Sequence, residues 1–342
     1  MRFLWLDLLR GIAASFVVMF HLIGQQSQFV GAGWLSVDFF FVLSGFVLSE
    51  SIQLASNNGI ESKLIFVKKR VLRLGPMLLL SLSFAFCVKI VELAHEHISG
   101  DIGDSRAFTL QTPLFFLMSI FLIQFAYPLA ITVLIPLWSL SVEFYLNLLT
   151  VFLGLAKSQR RLSLGIILGI CCIYFSGLRF DDSSDWTRYH TWLFGLGRAL
   201  VGFNLGQIAW QISKSNHRIN SLINLTSILF LVCAVALTWV HAKTYILLPS
   251  WFLFILITLT FSRYQNPNAG GIASRIFSFM GQTSFAVYLL HPSVFSLVTP
   301  SLKVSGFIRI PGIYFFVLLI AYSFEKFLAP CVKRELANLL KI

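Results

Sequence analysis

An all-α, polytopic membrane fold follows from three features of the sequence. Hydrophobic residues make up 57% of its 342 residues and charged residues only 12%, about half the charge of a soluble domain. Apolar runs near or above the roughly 18-residue threshold for a spanning helix recur from end to end. The charges that remain collect between those runs. No polar stretch is long enough for a second domain, so residues 1–342 read as one membrane domain.

Taken in order, the runs place ten spans near 3–23, 34–52, 75–94, 138–156, 161–178, 191–213, 219–240, 244–262, 276–297 and 310–329. Each is about long enough to cross the hydrocarbon core at 1.5 Å per residue. The first run resembles a signal peptide in length. It carries Asp7 and Arg10, and no small-residue cleavage site follows, so it is expected to remain as the first span.

Charge orients the set. An N-terminus inside puts 53–74, 157–160, 214–218, 263–275 and the C-terminal tail inside, each with Lys or Arg. Lys63, Lys68, Lys69, Arg70 and Arg73 fall in the first of these loops, and Lys157, Arg160 and Arg161 lie around the second. The opposite loops 95–112 and 179–190 hold Glu96, Asp101, Asp104, Asp181, Asp182 and Asp185. This is the positive-inside pattern; the 298–309 loop, with Lys303 and Arg309, runs against it. Both termini are therefore expected inside, which in a bacterium means the cytoplasmic face of the inner membrane. Residues 113–136 are apolar but interrupted by Pro128, and a full span there would put Lys157, Arg160 and Arg161 outside. A re-entrant or half-spanning segment is expected instead.

Composition excludes several classes. The net charge of +12 belongs to topology and membrane lipids, with no nucleic acid expected as a partner. The five cysteines (Cys87, Cys171, Cys172, Cys233 and Cys331) have neither metal spacing nor a disulfide framework, and no metal site is expected. No repeat, dinucleotide fingerprint, phosphate-cradling Gly loop or metalloprotease helix occurs.

Ionisable groups inside spans cost ~2.5–3.5 kcal/mol each on insertion scales, so those present need partners or a task. Asp7 and Arg10 are three apart on the first span and can pair. Arg10 and His21 are eleven apart, close to three turns, so they share a face about 16 Å apart. The stripe joins the two ends of the span, or else Asp7–Arg10 is a helix-end ion pair and His21 snorkels to the interface. Asp38 opens the second span at the level expected for His21, where it can orient the imidazole or stand as a solvated helix-start acid. Ser44-Gly45, inside an aromatic run, points to close helix packing. Arg70 and Arg73 share a face if helical and suit bidentate phosphate binding, or else touch anionic headgroups. Glu143 lies one turn below the expected outer surface, either to exchange protons or to bond another helix. Ser284, Tyr288 and His291 share a face of the ninth span, and Arg198 lies within another. These four line a cavity or join helices.

In order, these pieces resemble the acyltransferase-3 family of membrane acyltransferases. The resemblance rests on Arg10-x10-His21, then Val37-Asp38-Phe39-Phe40-Phe41-Val42-Leu43-Ser44-Gly45-Phe46, and Arg70-x-x-Arg73-Leu74-x-Pro76. Trp138-Ser139-Leu140-Ser141-Val142-Glu143 and Ser284-Phe285-x-x-Tyr288-Leu289-x-His291 complete it. It covers essentially the whole chain. Phe285 replaces the family's usual Tyr, Ala321–Phe327 only approximates its late pattern, and a stand-alone form without a fused esterase-like domain is expected. The resemblance implies an O-acetyltransferase with no permanently bound cofactor, using acetyl-CoA or another acyl-CoA from the cytoplasm. It implies as acceptor a hydroxyl of a surface polysaccharide or its lipid-linked precursor. His21, Asp38 and Glu143 are then the catalytic candidates at the outer side. Arg10, Arg70 and Arg73 are the acyl-CoA candidates at the inner side. Trp138, Ser141, Ser284, Tyr288 and His291 are the substrate-binding candidates. A transporter or flippase would use the polar stripe as a path, and internal repeats, which would favour it, are not evident. A non-catalytic scaffold gives no reason for His21, Asp38 and Glu143 to share a depth.

Overall fold

A computed structural model describes residues 3–23, 33–99, 112–123, 134–176, 191–215, 247–264, 267–268, 270–298 and 306–341. All regular structure among them is helical. In chain order the helices are α1 (Leu4–Ile23), α2 (Ser36–Asn57), α3 (Gly59–Ser99), α4 (Thr112–Ile120), α5 (Leu137–Leu153) and α6 (Gln159–Phe175). Then come α7 (Thr191–Ser215), α8 (Leu247–Phe261), α9 (Ile272–Val298) and α10 (Gly306–Ser323). A π turn at Phe324–Leu328 leads into α11 (Ala329–Leu340).

Four of the expected spans are realised as helices both long and apolar enough to cross a membrane: Leu4–Ile23, Gly33–Asn57, Gly59–His95 and Arg309–Leu340. Two shorter apolar helices, Leu137–Leu153 and Leu247–Phe261, fall where spans were expected. The expected span at 219–240 lies outside the described residues, as do the acidic segments 100–111 and 179–190.

One expectation is corrected. Residues 59–74 are no loop but the first turns of α3, which runs unbroken for 41 residues through Pro76. Lys, Arg, Glu and Leu fill this stretch, and all are strong helix formers. The break falls earlier, at Gly59, whose φ of 80° suits glycine alone. Arg70 and Arg73 therefore stand on a rigid helix, 11 and 14 residues from its start.

Side-chain registers settle the helix directions. Lys63 reaches the carbonyl of Phe152 (3.2 Å) and Arg70 reaches Glu143 (3.0 Å), so α3 and α5 are antiparallel. Ser44 bonds Glu143 and Ser56 bonds the Val151 carbonyl, so α2 and α5 are parallel. The end of α3 and the start of α5 thus lie at the same end of the bundle. The nine residues of α4 reach only about 14 Å, well short of the roughly 30 Å core. Helix α11 runs antiparallel to α3, with Lys68 on the Leu340 carbonyl (2.8 Å) and Leu336 beside Gly75. The end of α11, the start of α3 and the α5–α6 turn consequently gather their cations at one end.

Glycine sets the closest approaches. A Cβ at Gly45 would collide with the backbone of Phe203, and one at Gly206 with that of Val42. This parallel α2–α7 contact is the close packing that Ser44-Gly45 pointed to, and small residues are what bring membrane helices together. Helix α9 lies parallel to α1 in the same way, with Gly281 against Asp7 and Gly11 against Met280. That pairing brings the polar stripe of α1 against the Tyr288–His291 face of α9.

Candidate active site

Two polar centres lie along the α1–α9 pair. The first is an arginine cluster. Arg70, almost fully buried, donates to Glu143 Oε1 at 3.0 Å, and Ser44 Oγ donates to the same oxygen at 2.6 Å. The Arg70 Nε is buried without a partner among the described residues. Arg10 sits 3.7 Å from Asp7 and within electrostatic range of Arg73, Glu143 and Arg70. Arg73 is exposed and acts in turn on Glu325 of the π turn. The Glu143 side chain is 18% exposed although it lies in mid-helix, so the cluster is not sealed off. Three guanidinium groups around one bound carboxylate, with a donor left over, have the chemistry to hold an anion.

The second centre is a histidine pair. His21, exposed at the far end of α1, places Nδ1 2.9 Å from the Val17 carbonyl. A carbonyl only accepts, so the neutral ring carries its proton on Nδ1 and offers a lone pair at Nε2. His291 repeats this one helix away: its Nδ1 lies 2.8 Å from the Tyr288 carbonyl, and its buried Nε2 has no partner among the described residues. The two rings are 5.0 Å apart, tilted by 41°. Tyr288 links the centres. Its hydroxyl bonds Ser139 at 2.7 Å, and it lies within electrostatic range of Glu143 and Arg198.

Several expected placements change. Asp38 does not orient His21. It is fully buried and bound by Arg198, at 3.2 Å to Oδ1 and 2.5 Å to Oδ2, and by the Trp251 indole at 3.1 Å. A permanently charged five-donor guanidinium outbids a neutral imidazole for a buried carboxylate. Trp138 stacks on this Arg198 together with Trp34 and Phe194, at 4.8–5.6 Å, so it walls the ion pair. Glu143 is likewise not at the level of His21 but on Arg70, which the loop reading had put at the opposite membrane face. The extension of α3 closes that gap. Ser141 is buried and donates to the Leu122 carbonyl, holding the turn after α4. Ser284 donates to Gly281 within its own helix at 2.8 Å. Arg10, Arg70 and Arg73 do converge, as do His21, Tyr288 and His291.

Ser44, Ser139 and Trp251 were missed as polar partners. Arg198 had a signal, an arginine inside an apolar span, but not its mate. Asn147, one turn along from Glu143 and fully buried with both amide atoms unpartnered among the described residues, was also missed.

A helical membrane protein with an arginine cluster at one centre and an imidazole lone pair at the other has the parts of a group-transfer enzyme. The family model described as an acyltransferase domain matches residues 3–325, and the chain belongs to the acyltransferase-3 family. It is similar to a protein of Rhizobium radiobacter named protein 2 in picA locus, 34% identical over 43% of this chain and 79% of that protein. It is also similar to the peptidoglycan O-acetyltransferase OatA of Listeria monocytogenes, 25% identical over 93% of this chain and 53% of that protein. The chain therefore spans about half the length of that peptidoglycan O-acetyltransferase. No solved structure matches it significantly. Family membership makes the chain an acyltransferase and sets aside the transporter and scaffold readings.

Proposed function

We propose that this enzyme transfers an acetyl group from cytoplasmic acetyl-CoA to a hydroxyl of an extracytoplasmic glycan or its lipid-linked precursor. The observation that carries this reading is the alignment of the arginine cluster and the histidine pair on α1. Arg10 and His21 stand about 16 Å apart on one face, a gap that the pantetheine arm of CoA can bridge. With the CoA phosphates among Arg10, Arg70 and Arg73, the thioester comes to His21. His21 Nε2 takes the acceptor proton as the hydroxyl oxygen bonds to the thioester carbonyl carbon. The C–S bond then breaks, and the departing thiolate takes the proton back from His21. Glu143 holds Arg70 in place throughout. The similarity to a peptidoglycan O-acetyltransferase supports a glycan as acceptor.

The deciding experiment gives labelled acetyl-CoA and candidate glycans to purified protein and measures label on the glycan. Variants test the donor site. Arg73→Ala should raise the KM for acetyl-CoA about 10- to 150-fold with kcat nearly unchanged, because a charge-assisted phosphate contact contributes ~1.5–3 kcal/mol. Arg70→Ala should also lower kcat, since it leaves Glu143 unpaired. Lys68→Ala should change neither, because its ammonium is held by the Leu340 carbonyl. Wild-type acetyl-CoA binding by Arg73→Ala would remove the arginine cluster from the donor site.

The proposal places the cation-rich end of the bundle in the cytoplasm. Cysteines at Ser62 and Gln159 should be shielded from an impermeant thiol reagent in intact cells, and one at Ser183 should react, each against the native-cysteine background. Labelling at Gln159 from outside would reverse the assignment.

A further inference from the structure

The proposed chemistry uses one imidazole, yet the structure pairs two. His291 is fully buried, and its Nδ1 proton is committed to the Tyr288 carbonyl. Its Nε2 is therefore a buried hydrogen-bond acceptor with no donor among the described residues. His21 faces it at 5.0 Å with its own Nδ1 committed to Val17, so its Nε2 is also an acceptor. Two acceptors cannot satisfy each other, and no hydrogen bond joins the rings. A single hydroxyl has one proton and can serve only one of them. The pair is complete only with two donors side by side, which two neighbouring hydroxyls of a polyol supply.

The walls fit such a ligand. Phe20 packs edge-on to His21 at 5.2 Å and Phe295 on His291 at 5.3 Å, while Phe40 stands against Tyr288 at 5.7 Å. Aromatic faces around a few acceptors suit a ring with apolar C–H faces and polar edges.

We propose that His291 is a specificity-determining residue of the acceptor subsite. Its Nε2 accepts a hydrogen bond from a second donor on the acceptor molecule, next to the hydroxyl that His21 deprotonates. The enzyme thereby selects acceptors with two adjacent donor groups, such as a vicinal diol. Only the proton facing His21 moves; the second stays on its oxygen. A mono-hydroxyl analogue leaves the buried Nε2 of His291 without a donor and is discriminated against. This inference rests on the reading of His21 as the base.

The test uses full-length protein in nanodiscs, 15N-labelled at histidine, with trans-cyclohexane-1,2-diol and cyclohexanol as minimal probes. The diol should shift the Nε2 resonances of both His21 and His291, with half-saturation at least about ten-fold lower than for cyclohexanol, the factor expected of one hydrogen bond to a buried acceptor. In His291→Leu the two probes should become equivalent at His21. A purely structural His291 would leave the diol preference intact in that variant, which overturns the proposal. So would equal responses to both probes in the wild type, or no shift at His291. If His291→Leu does not fold, the two wild-type titrations decide alone. Normal acetyl transfer by His21→Gln would remove the base reading without touching the diol preference, so the two failures are distinguishable.

Discussion

Replacing His21 with glutamine should abolish acetyl transfer while leaving folded protein and acetyl-CoA binding close to wild type. Removal of a general base typically costs ~10²–10⁴ in rate. Glutamine keeps hydrogen-bonding atoms but cannot take a proton near neutral pH, so the loss isolates the base function. The fold should tolerate the change because His21 is exposed at the end of α1 and its hydrogen bond is local, to Val17 one turn back. Donor binding should survive because the arginine cluster lies about 16 Å further along the helix. The check is the initial rate of label transfer, with the acetyl-CoA Kd and a size-exclusion profile on the same preparation. Well-folded His21→Gln protein that transfers at the wild-type rate would make His21 a structural residue.

The second large effect falls on stability. Asp38→Leu or Arg198→Met alone should destabilise the bundle by about 3–5 kcal/mol, the usual cost of leaving one partner of a buried ion pair uncompensated. The pair is 0% and 1% exposed, ringed by Trp34, Trp138 and Phe194 and joined by the Trp251 indole, so water cannot replace the lost partner. The double variant should recover much of the loss, because two apolar residues of similar bulk carry no unpaired charge. Thermal midpoints of the three proteins in detergent read this directly. A single Asp38 variant that melts like the wild type but has lost activity would return Asp38 to the chemistry and contradict the structural role assigned to it.

The placement of the site residues shows what a sequence carries locally. Arg10 and His21 on one face of α1 follow from 3.6 residues per turn, as do Ser284, Tyr288 and His291 on one face of α9. The close approach at Gly45 needs only the missing Cβ.

Partner choice is another matter. Arg198 and Asp38 are 160 residues apart, and Arg70 and Glu143 are 73. Each of the two carboxylates had several cations it could have met. Which one it meets depends on helix rotation and depth across the whole bundle, set by contacts such as Gly206 on Val42 that no local pattern specifies. The run 59–74 read as a loop because its charges are too many for lipid, whereas helix formation requires only backbone bonds and a run of residues that favour it. Composition and periodicity by themselves determined that this chain is a helical membrane protein with polar faces on α1 and α9. Tertiary packing alone decided that Asp38 is held by Arg198, that Arg70 reaches Glu143, and that the base candidate His21 faces a second imidazole. The physical reason is that buried charges and lone pairs are satisfied by whatever the fold brings within about 3 Å, and that proximity is a property of the bundle.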